Sequence, residues 1–177
     1  HKIRVSISNC YWPLLWPMPH NSTLTLVQGI FDLPISSHGD SDERKFQPAV
    51  VGEPWRIESL REGGNQRGVK RDLKSGIVTT EIIDDFGKRM DKEHGLITGS
   101  IAREWWSIHP DDPLSAHGRT HWTEELERAD WSVRTETYAE MWSDYDTFYL
   151  KASLMAFHNG DLVFEKEFNE EIQRLGH

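Results

Sequence analysis

The chain has 177 residues, with 29 acidic against 20 basic side chains, a formal net charge of −9 and a single cysteine. That length suits one domain, or one domain plus a fragment of a second. The acidic balance is repelled by phosphate backbones, which sets nucleic acid aside as a general partner, and no run of about 18 apolar residues offers a membrane-spanning helix.

Lys2–Ser8 alternates polar and apolar residues, placing Ile3, Val5 and Ile7 on one side. Period two with β-branched residues predicts a half-buried strand. Cys10 can form no internal disulfide, and a lone cysteine at the end of a strand pattern is expected to pack as a small buried apolar group. The stretch 11–20, YWPLLWPMPH, holds three prolines that exclude both helix and central strand, yet its Trp12 and Trp16 call for cover. Extended character returns over Thr23–Val27 and Phe31–Ile35. The start at His1, directly in a strand pattern and with no targeting segment, reads as a trimmed or processed piece, with a cytoplasmic location expected.

Residues 36–54 lose all periodicity and are rich in Ser, Gly, Asp and Pro, as a linker or surface loop would be. From residue 55 to 177 the pattern is a succession of strands, predicted over 66–74, 77–85, 95–108, 117–126, 130–142, 145–157 and 161–172. Three turns separate them with recognisable chemistry: Lys74-Ser75-Gly76, Asp85-Phe86-Gly87 and His158-Asn159-Gly160-Asp161, the last carrying the Asn-Gly pair favoured in tight hairpins. In 130–142, Trp131, Val133, Thr135, Thr137, Ala139 and Met141 share one face, expected to be buried. Arg134, Glu136, Tyr138 and Glu140 share the other, expected to be wet, as in an antiparallel sheet. The predicted fold is therefore all-β and antiparallel: partial jelly-roll strands over 1–35, then a curved meander or half-barrel.

The richest chemistry lies in 107–122, SIHPDDPLSAHGRTHW. His109, Asp111, Asp112, His117 and His121 are the residue types of a metal site or an acid/base pair. On a strand, however, His117 and His121 are about 13 Å apart on one face, too far for one zinc ion. His109-Pro110-Asp111-Asp112-Pro113 explains itself as a proline-bracketed turn. Trp105, Trp106, Trp122, Trp131 and Trp142 are candidates for lining an apolar cavity, or else for filling a core short of aliphatics. No Gly-x-Ser-x-Gly elbow, phosphate loop, His-Glu-x-x-His or cysteine pair occurs, so no catalytic residue, metal ligand or cofactor is assigned.

Two stretches resemble one family. Residues 1–35, HKIRVSIS followed by YWPLLWPMPHNSTLTL and LPI, look like the last strands of the C-terminal jelly-roll of the CocE/NonD and X-Pro dipeptidyl-peptidase group of serine hydrolases. Residues 100–172, with IHPDDPLSA, THWTEELERADWSVRTET and LVFEKEF, look like a β extension carried by one bacterial subset. The resemblance implies an α/β-hydrolase catalytic domain as partner, in cis or in trans, hydrolysing esters, amides or X-Pro peptides. The family's triad and oxyanion-hole motifs have no counterpart in this chain, so the region itself is expected to be non-catalytic, supporting the catalytic domain or mediating self-association. Two other classes remain open: a free-standing β-barrel module for an apolar small molecule, and a metal-dependent enzyme using the histidine cluster.

Overall fold

The computed structural model describes residues 2–34 and 46–175. Its strands are β1 (Ile57–Arg61), β2 (Gly64–Arg71), β3 (Val78–Asp91), β4 (Ile97–His109), β5 (Asp112–Arg128), β6 (Trp131–Ser143), β7 (Thr147–His158) and β8 (Asp161–Gln173). They form one antiparallel sheet in the order β1-β3-β4-β5-β6-β7-β8. β2 lies beside β1 on the same edge: β1 pairs with the second half of β3 and β2 with the first half. The fold is thus an all-β antiparallel meander. The sheet is open, with β1 and β2 at one end and β8 at the other.

Local chemistry sets the hairpins. Asn159 and Gly160 both take positive φ, 51° and 92°, the type I′ geometry that matches strand twist. At the β2–β3 connection Gly76 has φ 78°, and the Asp72 carboxylate accepts the Lys74 N–H at 2.8 Å. Pro110 and Asp111 form the two-residue β4–β5 turn, closed by the His109↔Asp112 pair. The expected turn at Asp85-Phe86-Gly87 is instead a β-bulge inside β3, where the register shifts between Asp85 and Lys88. Gly87 at φ 79° supplies the left-handed residue, and the strand bends without reversing. β1 escaped the sequence pattern because IESLR has no apolar alternation; its place comes from pairing with β3.

The N-terminal expectations need correcting. Residues 2–34 form no strand, so the jelly-roll strands expected at Lys2–Ser8, Thr23–Val27 and Phe31–Ile35 are not formed over the described positions; Ile35 and the rest of 35–45 lie outside them. A period-two pattern is only a capacity for pairing, and no neighbouring strand satisfies these backbone groups. Ile3 stays 76% exposed, and Cys10 is exposed rather than buried.

Burial within the sheet also departs from expectation. Alternation places Ile82, Trp106, Trp122, Val133, Leu150 and Phe168 on one face, here called the apolar face, and Arg119, His121, Glu136, Glu140 and Lys151 on the other, the charged face. Ala102 and Ala116 are the only strand residues with buried apolar side chains among those described. In the second half of β5 the usual order is inverted: Trp122 and Leu126 are exposed, while His121, Thr123, Glu125 and Glu127 are half-buried. Trp131, expected on the buried side, is 42% exposed. The cause is that the sheet is a single layer. Long charged side chains shelter one another across strands, whereas the apolar face has no second layer above it among the described residues.

One segment does lie on that face. Trp16 meets Phe148 edge-on with ring centroids 6.1 Å apart, and its indole N–H donates to Ser143 Oγ at 3.1 Å. Trp12 packs edge-on to both Trp16 and Trp106. The Arg174 guanidinium fastens the arrangement. It donates to Pro17 O at 2.8 Å, Ser143 Oγ at 2.9 Å and Asp144 O at 3.0 Å, and stands over the Phe148 ring. The proline-rich stretch is therefore a strap that uses tryptophans, rather than strand pairing, to cover one end of the sheet.

Candidate functional site: a polar and aromatic groove

The charged face is built row by row from the strand register. One row runs Trp105, Arg119, Glu140, Lys151 and Asn169 across β4 to β8; the next runs Arg103, His121, Tyr138, Ser153 and Glu167. Arg103 apart, these two rows line a groove of about 700 Å³, a size typical of small-ligand sites.

Rings and charges alternate inside it. His121 stacks on Tyr138 with centroids 4.0 Å apart and planes 10° from parallel. Trp142 stacks on Tyr149 beside the groove. Arg119 lies over the Trp105 ring and Lys151 over Trp142, at 5.9 and 5.4 Å. Trp105 is oriented by its indole N–H, which donates to Glu81 Oε1 at 2.9 Å.

The histidines take up individual positions. His117 Nε2 is 3.5 Å from Glu140 and His121 Nε2 is 3.4 Å from Glu136. His121 Nε2 is enclosed yet makes no hydrogen bond, so the Glu136 contact is near but misaligned. Burial pushes both imidazoles below the ordinary histidine value; Glu140 opposes this at His117, where Arg119 reinforces it, and Arg103 reinforces it at His121. Both are neutral at pH 7.

A second cluster lies farther along the same face, around the β3 bulge. Arg61 contacts Asp85 at 3.0 Å and Glu125 at 3.1 Å, while Lys88 contacts Glu125 at 3.1 Å and Glu127 at 2.6 Å. Desolvation raises the Glu125 carboxyl, but hydrogen bonds from Lys88 and Arg61 outweigh it and hold the group below the usual carboxylate range. The ion pairs staple β1, β3 and β5 together, although the enclosed Arg61 Nη2 itself makes no hydrogen bond.

The residues singled out in the sequence are dispersed. His109, Asp111 and Asp112 sit at the β4–β5 turn, where they hold the backbone: His109 Nδ1 accepts the Asp111 N–H, and Asp112 Oδ1 accepts the Leu114 N–H. His117 and His121 stand apart on the charged face, each against its own glutamate. No group of three or more His, Cys, Asp or Glu suited to a metal occurs among the described residues. The tryptophans divide between faces, Trp106, Trp122 and Trp131 on the apolar side and Trp105 and Trp142 on the charged side, so they line no common cavity. Adjacent strand residues such as Trp105 and Trp106 point oppositely.

Sequence reasoning missed Arg119, Tyr138, Lys151, Ser153, Glu167 and Asn169 as one group. The signal was present as period-two positions on four consecutive strands, but it becomes a site only once the register is known. Compared with protein-family models, curated proteins and solved structures, the chain matches none of them.

Proposed function

We propose that this chain is a non-catalytic β module whose apolar face is covered by an α/β-hydrolase catalytic domain, in the same polypeptide or as a separate chain. The observation that carries the reading is the uncovered face itself, with Trp122, Leu126, Trp131, Phe164, Phe168 and Ile172 exposed on it. A single sheet of this size buries its apolar side against another layer, and large exposed apolar patches mark interaction sites. The sequence resemblance to the C-terminal region of CocE/NonD and X-Pro dipeptidyl-peptidase enzymes supplies the identity of the cover. The absence of a nucleophile elbow from the 177 residues agrees with a supporting role in ester, amide or peptide hydrolysis. A cytoplasmic location belongs to the same proposal; no helix among the described residues is long and apolar enough to cross a membrane.

The open sheet weakens the alternative of a closed barrel around an apolar ligand, since the five tryptophans enclose no shared space. The test is to mix the chain with the α/β-hydrolase encoded in frame with it or beside it. A stable complex is expected, broken by Trp122→Glu with Leu126→Lys. The chain alone is expected to show no esterase or X-Pro peptidase turnover and no labelling by a fluorophosphonate. Labelling of the isolated chain, or a complex indifferent to the apolar face, overturns the proposal.

A further inference from the structure

The groove on the charged face is independent of the apolar face, and several of its polar groups have no partner within the described chain. Around the β3 bulge and on β2 the charges are largely paired, as at Arg61, Lys88, Glu125 and Glu127 or at Lys70 and Glu81. In the groove, Arg119 and Lys151 rest on tryptophan rings and form no ion pair among the described residues. Ser153, Glu167 and Asn169, which line it from β7 and β8, make no side-chain hydrogen bond within the described chain. Donors and acceptors are thus gathered in a concave place with their capacity unused. The enclosed His121 Nε2 is a further nitrogen without a hydrogen bond.

The composition of the lining narrows the ligand. Its charges balance, Arg119 and Lys151 against Glu140 and Glu167, so neither an anion nor a cation is selected. A purely apolar ligand would leave these polar groups desolvated without partners. Tyr138 is 39% exposed, with His121 stacked against one face of its ring, and it stands beside alternating donors and acceptors. A pyranose or furanose ring offers the match: a C–H face for the aromatic surface and a rim of hydroxyls that both donate and accept. From this juxtaposition of an exposed tyrosine, unpaired polar side chains and balanced charge, we propose that the groove binds a neutral oligosaccharide.

The experiment titrates the full chain with uncharged cello-, malto-, manno- and xylo-oligosaccharides, following calorimetry and the change in tryptophan fluorescence that is lost in a Trp105→Phe variant. Saturable binding in the micromolar to millimolar range is expected for at least one series. Tyr138→Ala and Asn169→Ala are each expected to weaken it by about tenfold or more. Asn169 lies on the exposed edge strand, so its variant keeps the fold, to be checked by far-UV circular dichroism. Lack of saturation with every series, binding unchanged in both variants, or preference for a sulfated or uronic-acid glycan over the neutral ones overturns the inference. The Trp122→Glu, Leu126→Lys variant, altered only on the apolar face, is expected to bind saccharide normally, so failure of the hydrolase-module proposal leaves this result readable.

Discussion

At Gly87 the chain needs a conformation and a space that only glycine provides. Its φ is 79°, and a Cβ there would lie 2.8 Å from the Arg61 carbonyl oxygen and 3.1 Å from the Gly63 nitrogen. Both neighbours are backbone, so neither can yield cheaply. Gly87→Ala is expected to cost about 2 kcal/mol or more, read from a urea unfolding midpoint; an unchanged midpoint would show that the bulge relaxes freely. Gly118 is used differently. Its missing side chain makes room for the Trp106 ring, whose Cζ3 would be 2.6 Å from an added Cβ, and that ring in turn receives Trp12. Composition signals each of these glycines, but the reason differs: a bend in one case, the seat of an aromatic ring in the other.

At the scale of elements, seven of the eight strands were expected from the sequence, the clearest being β6, β7 and β8 with their period-two alternation between turn residues, while β3 runs on past the turn expected at its residue 85. The eighth, β1, has no such pattern and is held by Arg61 and its carboxylate partners. The strap reverses the relation between pattern and structure. Lys2–Ser8 has the better alternation, yet the proline-rich stretch after it is what docks. Arg174 is the fastening, buried and donating to three acceptors. Arg174→Ala leaves Pro17 O, Ser143 Oγ and Asp144 O without that donor and is expected to destabilise the protein by about 2 kcal/mol. It also frees the strap: limited proteolysis is expected to cut within residues 10–20 far faster than in the parent chain. Cleavage at the parental rate would mean that the tryptophans alone hold it.

For the whole molecule, the distribution of titratable groups on the charged face sets the response to acid. His117 and His121 titrate in the folded chain below their ordinary value of 6.5, chiefly through burial. Just under pH 6.5 the unfolded chain therefore binds more protons than the folded one, and stability rises with pH there. This contribution is present in full above 6.5 and is lost as pH falls through the depressed folded values. A second loss follows below the ordinary carboxylate range. Glu125 is held down by Lys88 and Arg61, Asp84 by Arg67 and Asn65, and Asp91 by Trp55. Urea midpoints measured from about pH 8 to about pH 3 are expected to fall in two steps, and the His117→Gln, His121→Gln double variant to lose the first. A midpoint that stays level down to the carboxylate range would rule out a histidine contribution.

Within the sheet, the sequence by itself determined seven of the eight strands, most of their boundaries, most of the hairpin chemistry and which residues share a face, because these follow from backbone geometry with a period of two and from the φ demands of Gly, Asn and Pro; the same patterning also pointed to N-terminal strands that do not form. It also identified 107–122 as a connector: His109 and Asp112 brace a turn through Pro110 and Asp111, while the strand spacing keeps His117 and His121 apart. Tertiary structure alone decided which strands are neighbours, that the sheet stays open, that the second half of β5 shelters its charged side and exposes Trp122 and Leu126, and that Arg119, Tyr138, Lys151 and Asn169 meet in one groove. Those outcomes depend on register and on what covers each face, which are contacts between residues distant in the chain. Period-two patterning records that a face exists; it carries no record of what will lie against it.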